Sequence, residues 1–133
     1  MVAPGILNRP RNYSILIADD DDAWRETLAE VLDNEGYRIH MACCGEEAIE
    51  IVRRELLHLA MLDLHMPRLD GMQTLRAIRR INRPLPCVLV TADPDDADAA
   101  DLRGLSISTV ISKQVGKNGI VTTVTRIIQK HYR

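Results

Sequence analysis

The amino-acid sequence predicts an α/β domain built on a doubly wound, five-stranded parallel sheet, and three observations carry that prediction. Three short apolar runs, at residues 15–18, 59–62 and 87–90, are too brief for buried helices and read as strands covered on both faces, and Thr109-Val110-Ile111 reads as one more strand. The segments that follow the runs place apolar residues at helical spacing. Strand and helix signals alternate through five β-α units, and strands connected in that way lie parallel, joined by right-handed crossovers that put helices on both faces of the sheet.

Taken in order, residues 1–13 carry two Pro, one Gly and no periodicity, and are expected to form a mobile leader ahead of a single domain at 14–133. The run Ile15-Leu16-Ile17-Ala18 is the first strand and ends in four carboxylates, Asp19 to Asp22. Asp22 is expected to cap the first helix, which repeats Trp24, Leu28, Val31 and Leu32 and stops at Gly36. Residues 37–42 alternate polar and apolar, as a half-exposed edge strand does, and Cys43-Cys44-Gly45 follows as a turn. Residues 46–57 read as the second helix, with Ala48, Ile49, Val52 and Leu56 inward.

The third strand runs into Asp63, and Met66-Pro67 cannot extend a ladder because Pro has no N–H. Asp70 caps a third helix at residues 71–81, with Met72, Leu75 and Ile78 on one face and Arg76, Arg79 and Arg80 on a solvated one. Arg83-Pro84-Leu85-Pro86 forces a loop before the fourth strand, which stops at Thr91-Ala92. Residues 93–102, rich in Asp and Ala, predict only a short or mobile fourth helix. The fifth strand ends at Ser112-Lys113, and residues 119–132 form a last helix with Ile120, Val124, Ile127 and Ile128 inward.

Composition narrows the function. Apolar residues are 46 % and charged residues 27 % of the 133, ordinary for a globular domain. A net charge of −2 supplies no bulk field for nucleic acid or anionic lipid. No apolar run approaches the ~20 residues of a membrane span, and no signal-peptide core stands near Met1. Three cysteines, two of them adjacent, make no disulfide framework, so a cytoplasmic location is expected. Cys43 and Cys44 read as small fillers, because adjacent side chains alternate across a strand and are then poorly placed to pair or to share a metal.

The informative pattern is where the strands end. Asp19 and Asp20 close the first, Asp63 the third, Thr91 the fourth and Lys113 the fifth. Open parallel sheets keep their ligand sites at this edge. Two carboxylates ~4 Å apart repel by roughly 4 kcal/mol at an effective dielectric of 20, so three of them call for a cation or a shifted pKa. An all-oxygen cluster selects a hard cation, and Mg²⁺ fits because it shares a few carboxylates with water and phosphate oxygens. A lysine and a hydroxyl suit phosphoryl oxygens. Together these residues point to phosphoryl transfer onto a carboxylate, with Asp63 as nucleophile.

The arrangement resembles the receiver domain of two-component response regulators, over roughly residues 13–132. The carrying motifs are Ile15-Leu16-Ile17-Ala18-Asp19-Asp20, Leu62-Asp63-Leu64-His65-Met66-Pro67-Arg68-Leu69-Asp70-Gly71, Val90-Thr91-Ala92 and Ile111-Ser112-Lys113. The resemblance implies a flavodoxin-like sheet in the order 2-1-3-4-5, with Asp63 as the phosphoacceptor. It implies Mg²⁺ held by Asp20, Asp63 and the His65 backbone carbonyl, with Asp19 assisting. Thr91 and Lys113 would stabilise the phosphoryl group, and His65 and Asp93 would tune its lifetime. The donor would be a sensor histidine kinase or a histidine phosphotransfer protein. A downstream protein would read the face formed by the fourth helix, fifth strand and fifth helix, with no direct contact to nucleic acid or membrane. Such a chain is a phosphoacceptor rather than a turnover enzyme.

This sequence departs from the family pattern at two further places. Gln114 stands where Pro usually follows the site lysine, so that peptide is expected to be trans. Val110 stands where Tyr or Phe usually lies. These departures motivate the alternative of a degenerate receiver acting only as a docking module. A metal-dependent phosphohydrolase is disfavoured by His65 at the place of its second acid, and a nucleotide-binding flavodoxin by the missing Gly-rich loop. With Met1 at the start and little beyond the fifth helix, a stand-alone regulator is expected; the other possibility is a receiver cut from a larger protein.

Overall fold

The computed structural model describes residues 13–82, 84–93, 95 and 109–132. Five strands are present: β1 (Ser14–Ala18), β2 (Arg38–Ala42), β3 (Leu59–Asp63), β4 (Cys87–Thr91) and β5 (Thr109–Ser112). They form one sheet in the order β2-β1-β3-β4-β5, parallel throughout. The expected architecture and strand order are therefore observed. Residues 1–12 of the expected leader at 1–13 and nearly all of the expected fourth helix lie outside the described residues, whereas Tyr13, the last leader residue, packs against His58 and Tyr132.

Alternation along the strands sorts the core into two layers. Leu16 and Ala18 of β1, with Ala60 and Leu62 of β3, face α2 (Gly45–Arg54) and α3 (Gly71–Ile81). Ile15 and Ile17, with Leu59 and Met61, face α1 (Asp22–Asn34) and the C-terminal helix (Gly116–His131). Every residue of β1, β3 and β4 is buried, whereas β2 at the sheet edge is partly exposed. That contrast is why the apolar runs were unbroken in three strands and alternating in one.

Helix ends differ from expectation at several points. Asp21, not Asp22, caps α1: its carboxylate accepts the Trp24 N–H at 3.2 Å, and Asp22 instead pairs with Arg25 in the first turn. Gly36, at φ 100°, ends α1 as expected. α2 stops at Arg54, so Leu56 is 80 % exposed and Leu57 fills the core position instead. Cys44 is the N-cap of α2 and Cys43 lies beyond β2, so the strand alternation invoked for this pair does not apply. The expected cap of α3 is present: Asp70 accepts from the Gln73 N–H at 2.8 Å and the Gln73 side chain accepts from the Asp70 N–H at 2.9 Å. Arg79 is not on a solvated face; its guanidinium donates to the Leu85 carbonyl at 2.7 Å and holds the loop into β4. The C-terminal helix starts three residues earlier than periodicity suggested, after a single 3-10 turn at Lys113–Val115. No peptide among the described residues is cis, as expected with Gln114 after Lys113.

The edge of the sheet at the strand N-termini is closed by Tyr13, His58 and Tyr132. Their rings meet at 5.0–5.6 Å between centroids. His58 Nδ1 accepts the Ser14 N–H at 3.0 Å and the Tyr132 hydroxyl donates to the His58 carbonyl at 2.7 Å. Burial lowers the His58 pKa. This clasp leaves the opposite, carboxyl edge open.

Candidate functional site

The carboxyl edge gathers the acids that the sequence distributes over two strands. β1 and β3 are neighbours in register, Ala18 opposite Leu62, so the residues that follow, Asp19 and Asp63, stand side by side. Carboxylate oxygens of Asp19, Asp20 and Asp63 all lie within 4.8 Å of one another. Asp19 and Asp63 are buried and Asp20 is exposed, which puts two charges at the floor of the pocket and one at its rim.

Each buried acid is held by short-range bonds. Asp19 Oδ1 accepts the Asp21 N–H at 2.9 Å, and the Asp19 N–H donates to the Ala42 carbonyl at 3.1 Å. Asp63 Oδ1 accepts the His65 N–H at 3.2 Å. Lys113 Nζ stands 2.8 Å from Asp19 Oδ2 and 3.7 Å from Asp63 Oδ2. The lysine comes from the far end of the sheet, beyond β5, and one ammonium is shared between two carboxylates.

That sharing leaves the site short of positive charge. Burial and the neighbouring Asp19 charge push the Asp63 carboxyl up to about 7, against the opposing pull of Lys113 and the His65 N–H. Burial disfavours the Lys113 ammonium, but Asp19 and Asp63 outweigh it and hold its pKa above the ordinary lysine value. An oxygen-only pocket with crowded acids is a fit for a hard divalent cation, and Asp19, Asp20 and Asp63 are the side chains able to hold it.

Thr91 ends β4, on the strand next to Asp63, and is fully buried. Its hydroxyl donates to the Asp93 carbonyl at 3.1 Å and accepts the Asp93 N–H at 3.2 Å. It is thus engaged with its own loop. His65 and Asp93 are both exposed at this edge.

The turn beyond Asp63 is shaped by two backbone features. Arg68 has φ 67° while the Leu69 N–H donates to the Pro67 carbonyl at 2.9 Å, the geometry of a tight γ-turn. Gly71 starts α3 directly against the strand end: a Cβ there would collide with the Asp63 carbonyl and stand 2.7 Å from Leu64 Cα. Only glycine permits that approach, so the Asp-Gly pair both caps the helix and clears space for the acceptor strand.

Several residues of the site were not singled out as such by sequence. Arg25 donates to the Asp19 carbonyl at 2.7 Å and to Asp22 at 2.6 Å, bracing the acid loop from below. Trp24, four residues past Asp20 and read as core with a place near the acids as the alternative, is half-buried and offers its ring to two cations, Lys113 at 5.2 Å and Lys117 at 5.1 Å from the centroid. The signal for Arg25 was its position six residues after Asp19 on the first helical turn. None existed for Lys117, because the sequence does not say where the last helix begins.

The family model of the response regulator receiver domain matches residues 15–125. The chain belongs to this family. Among curated relatives of the receiver domain, the response regulator RR06 of Streptococcus pneumoniae is 30 % identical over 119 residues, 90 % of this chain and 54 % of the relative. The transcriptional regulatory protein AfsQ1 of Streptomyces coelicolor is 39 % identical over 85 residues, 64 % of this chain and 37 % of the relative. The chain thus spans about a third to a half of the length of these curated relatives. Among solved structures, a CheY-like receiver domain protein of Methanospirillum hungatei superposes with a TM-score of 0.82 at 21 % identity, covering 90 % of this chain and 95 % of that one. The response regulator TrrA of Thermotoga maritima, solved in complex with Mg²⁺-BeF, gives 0.78 at 29 % identity, covering 86 % and 98 %. The receiver fold and its place in two-component signalling are established for this chain by these matches. No helix among the described residues is long and apolar enough to cross a membrane.

Proposed function

We propose that this receiver domain accepts a phosphoryl group on Asp63 from a phosphohistidine, carried by a sensor histidine kinase or a histidine phosphotransfer protein. The observation that supports the reading most is the buried Asp19–Asp63 pair sharing Lys113 beside the exposed Asp20. An Asp63 carboxylate oxygen attacks phosphorus, the phosphorus–nitrogen bond breaks, and the departing imidazole takes up a proton. Water later cleaves the acyl phosphate and restores the carboxylate. Mg²⁺, when held by Asp20, Asp63 and the His65 carbonyl with Asp19 assisting, supplies charge neutralisation for the phosphoryl oxygens.

The other roles follow from position. Lys113 favours the ionised Asp63 carboxylate against burial and the Asp19 charge, and then neutralises phosphoryl charge. Thr91 leaves its Asp93 contacts to donate to a phosphoryl oxygen. His65 and Asp93, exposed at the mouth, govern access of water to the acyl phosphate. A protein partner in the cytoplasm reads the change on the face of β5 and the C-terminal helix, together with the segment between β4 and β5.

Phosphoramidate tests the reading, since its phosphorus–nitrogen bond mimics the donor. With Mg²⁺, the intact mass should rise by one phosphoryl group, and Asp63→Asn should abolish the gain. A gain that persists in Asp63→Asn refutes it. Val110, half-buried against the core where relatives of the resemblance carry an aromatic ring, favours a second reading as a phosphorylation-independent docking module. That reading requires Asp63→Asn protein to bind its partner and signal like wild type.

A further inference from the structure

The acid pocket is not the sole group of metal-ligating side chains among the described residues. The chain turns sharply after β2, and the two adjacent thiols land on one side of that turn rather than on opposite faces of a strand. A sulfur from Cys43, a sulfur from Cys44 and a carboxylate oxygen of Glu47 all lie within 4.8 Å of one another. The Cys43 thiol already donates to Glu47 Oε2 at 3.4 Å. Cys43 and Glu47 are exposed and Cys44 is half-buried, so solvent and a solute reach all three.

We propose that Cys43, Cys44 and Glu47 form a Zn²⁺ site with water as the fourth ligand, separate from the hard-cation pocket at Asp63. The donor chemistry discriminates between the two. Thiolates select Zn²⁺ and softer ions, whereas the oxygen-only acid pocket suits Mg²⁺. Zn–S bonds of ~2.3 Å and a Zn–O bond of ~2.0–2.2 Å in a tetrahedron need donor separations of ~3.5–3.8 Å. The three atoms must therefore close by up to ~1 Å, a movement within reach of exposed side-chain rotamers.

Without metal the Glu47 carboxylate, which accepts from the Cys43 thiol, pushes that thiol up, so an ion must displace the proton that Cys43 shares with Glu47. Cys44 is the N-cap of α2 and makes no side-chain capping bond, so the helix presents its positive end and first-turn N–H groups beside it. Arg25 lies within electrostatic reach of Cys43, and Arg68 within reach of Cys44. Binding releases the two thiol protons to solvent; no electron is transferred. Two thiolates, one carboxylate and Zn²⁺ leave a single negative charge beside those arginines.

The test uses the full, reduced chain with Mg²⁺ in large excess, titrated with Zn²⁺ against a chromophoric chelator and, separately, with Co²⁺. One Zn²⁺ should bind per chain at micromolar metal, and Co²⁺ should develop a thiolate charge-transfer band. Cys43→Ser and Cys44→Ser should each weaken binding by at least about tenfold, Glu47→Gln should weaken it measurably, and Cys87→Ser, in the buried core, should leave it unchanged. Far-ultraviolet circular dichroism checks that each variant is folded. No uptake at micromolar Zn²⁺, uptake indifferent to Cys43→Ser, or uptake lost in Asp63→Asn would each overturn the proposal.

Discussion

Lys113 bonds Asp19 more closely than it approaches the phosphoacceptor candidate: its Nζ lies 2.8 Å from Asp19 Oδ2. Asp63 Oδ2, at 3.7 Å, receives only the remainder of that charge. The lysine is therefore the element that makes two buried carboxylates tolerable side by side. Lys113→Met should leave them facing each other without compensation. In the absence of divalent metal above pH 7, it should lower stability by about 2 kcal/mol, read by urea denaturation. Added Mg²⁺ should recover most of that loss, while acceptance of phosphate from phosphoramidate should still slow at least about tenfold.

The raised Asp63 pKa has a stability signature. The unfolded carboxyl titrates near 3.8 and the folded one at about 7, so between these values the native state holds the extra proton. Stability of the metal-free protein should then fall as pH rises from about 4 to about 7. His58 acts in the opposite sense, because its lowered folded pKa makes the unfolded state the better proton acceptor near pH 6. The diagnostic is therefore the difference between wild type and Asp63→Asn. Wild type should lose stability relative to the variant across this window, by about 1–3 kcal/mol, and Mg²⁺ should close the gap at pH 8. Parallel Tm-against-pH curves would contradict this.

Trp24 is the single tryptophan of the chain, and its ring faces Lys113 and Lys117 beside the acid pocket. A cation entering the pocket competes with Lys113 for Asp19 and Asp63 and should shift the lysine relative to the ring. Trp24 emission should change saturably with Mg²⁺, and the midpoint should move upward at least about tenfold in Asp63→Asn. Emission that stays constant while calorimetry detects binding would separate Trp24 from the site.

Gly71→Ala should be costly although the position lies in a helix, where alanine is ordinarily preferred. The added Cβ meets the Asp63 carbonyl and Leu64 Cα, both backbone. A loss of about 2–3 kcal/mol in urea denaturation is expected, together with slowed phosphorylation because the acceptor strand must shift.

Neighbouring leucines should behave oppositely. Leu57→Ala should cost about 2–4 kcal/mol, whereas Leu56→Ala should change stability by less than about 0.5 kcal/mol. Their exposures are 5 % and 80 %. The sequence reading assigned Leu56 inward because it continued the period of α2 to residue 57. The helix ends at Arg54, and the chain that follows is extended, which exchanges the two side chains.

That exchange marks the boundary of what the sequence made legible. Strands β1, β3 and β4 were readable because full burial demands an unbroken apolar run, and the site was readable because strand ends collect in one place. Helix ends were less so: three consecutive acids could each cap α1, and choosing Asp21 takes backbone geometry. Cys43 and Cys44 were read by the alternation rule of a strand that ends one residue earlier, at Ala42. The Thr91 hydroxyl, turned onto Asp93, and the two lysines over Trp24 are contacts between segments far apart in sequence or set by a loop, which periodicity does not register.

The most direct measurement locates the acyl phosphate. After incubation with phosphoramidate and Mg²⁺, borohydride reduction converts a phosphorylated aspartate to homoserine, and peptide mass spectrometry reads the position. Homoserine is expected at position 63 alone. Homoserine at Asp19 or Asp20 instead, or no conversion in protein shown to be folded and Mg²⁺-bound, would contradict it.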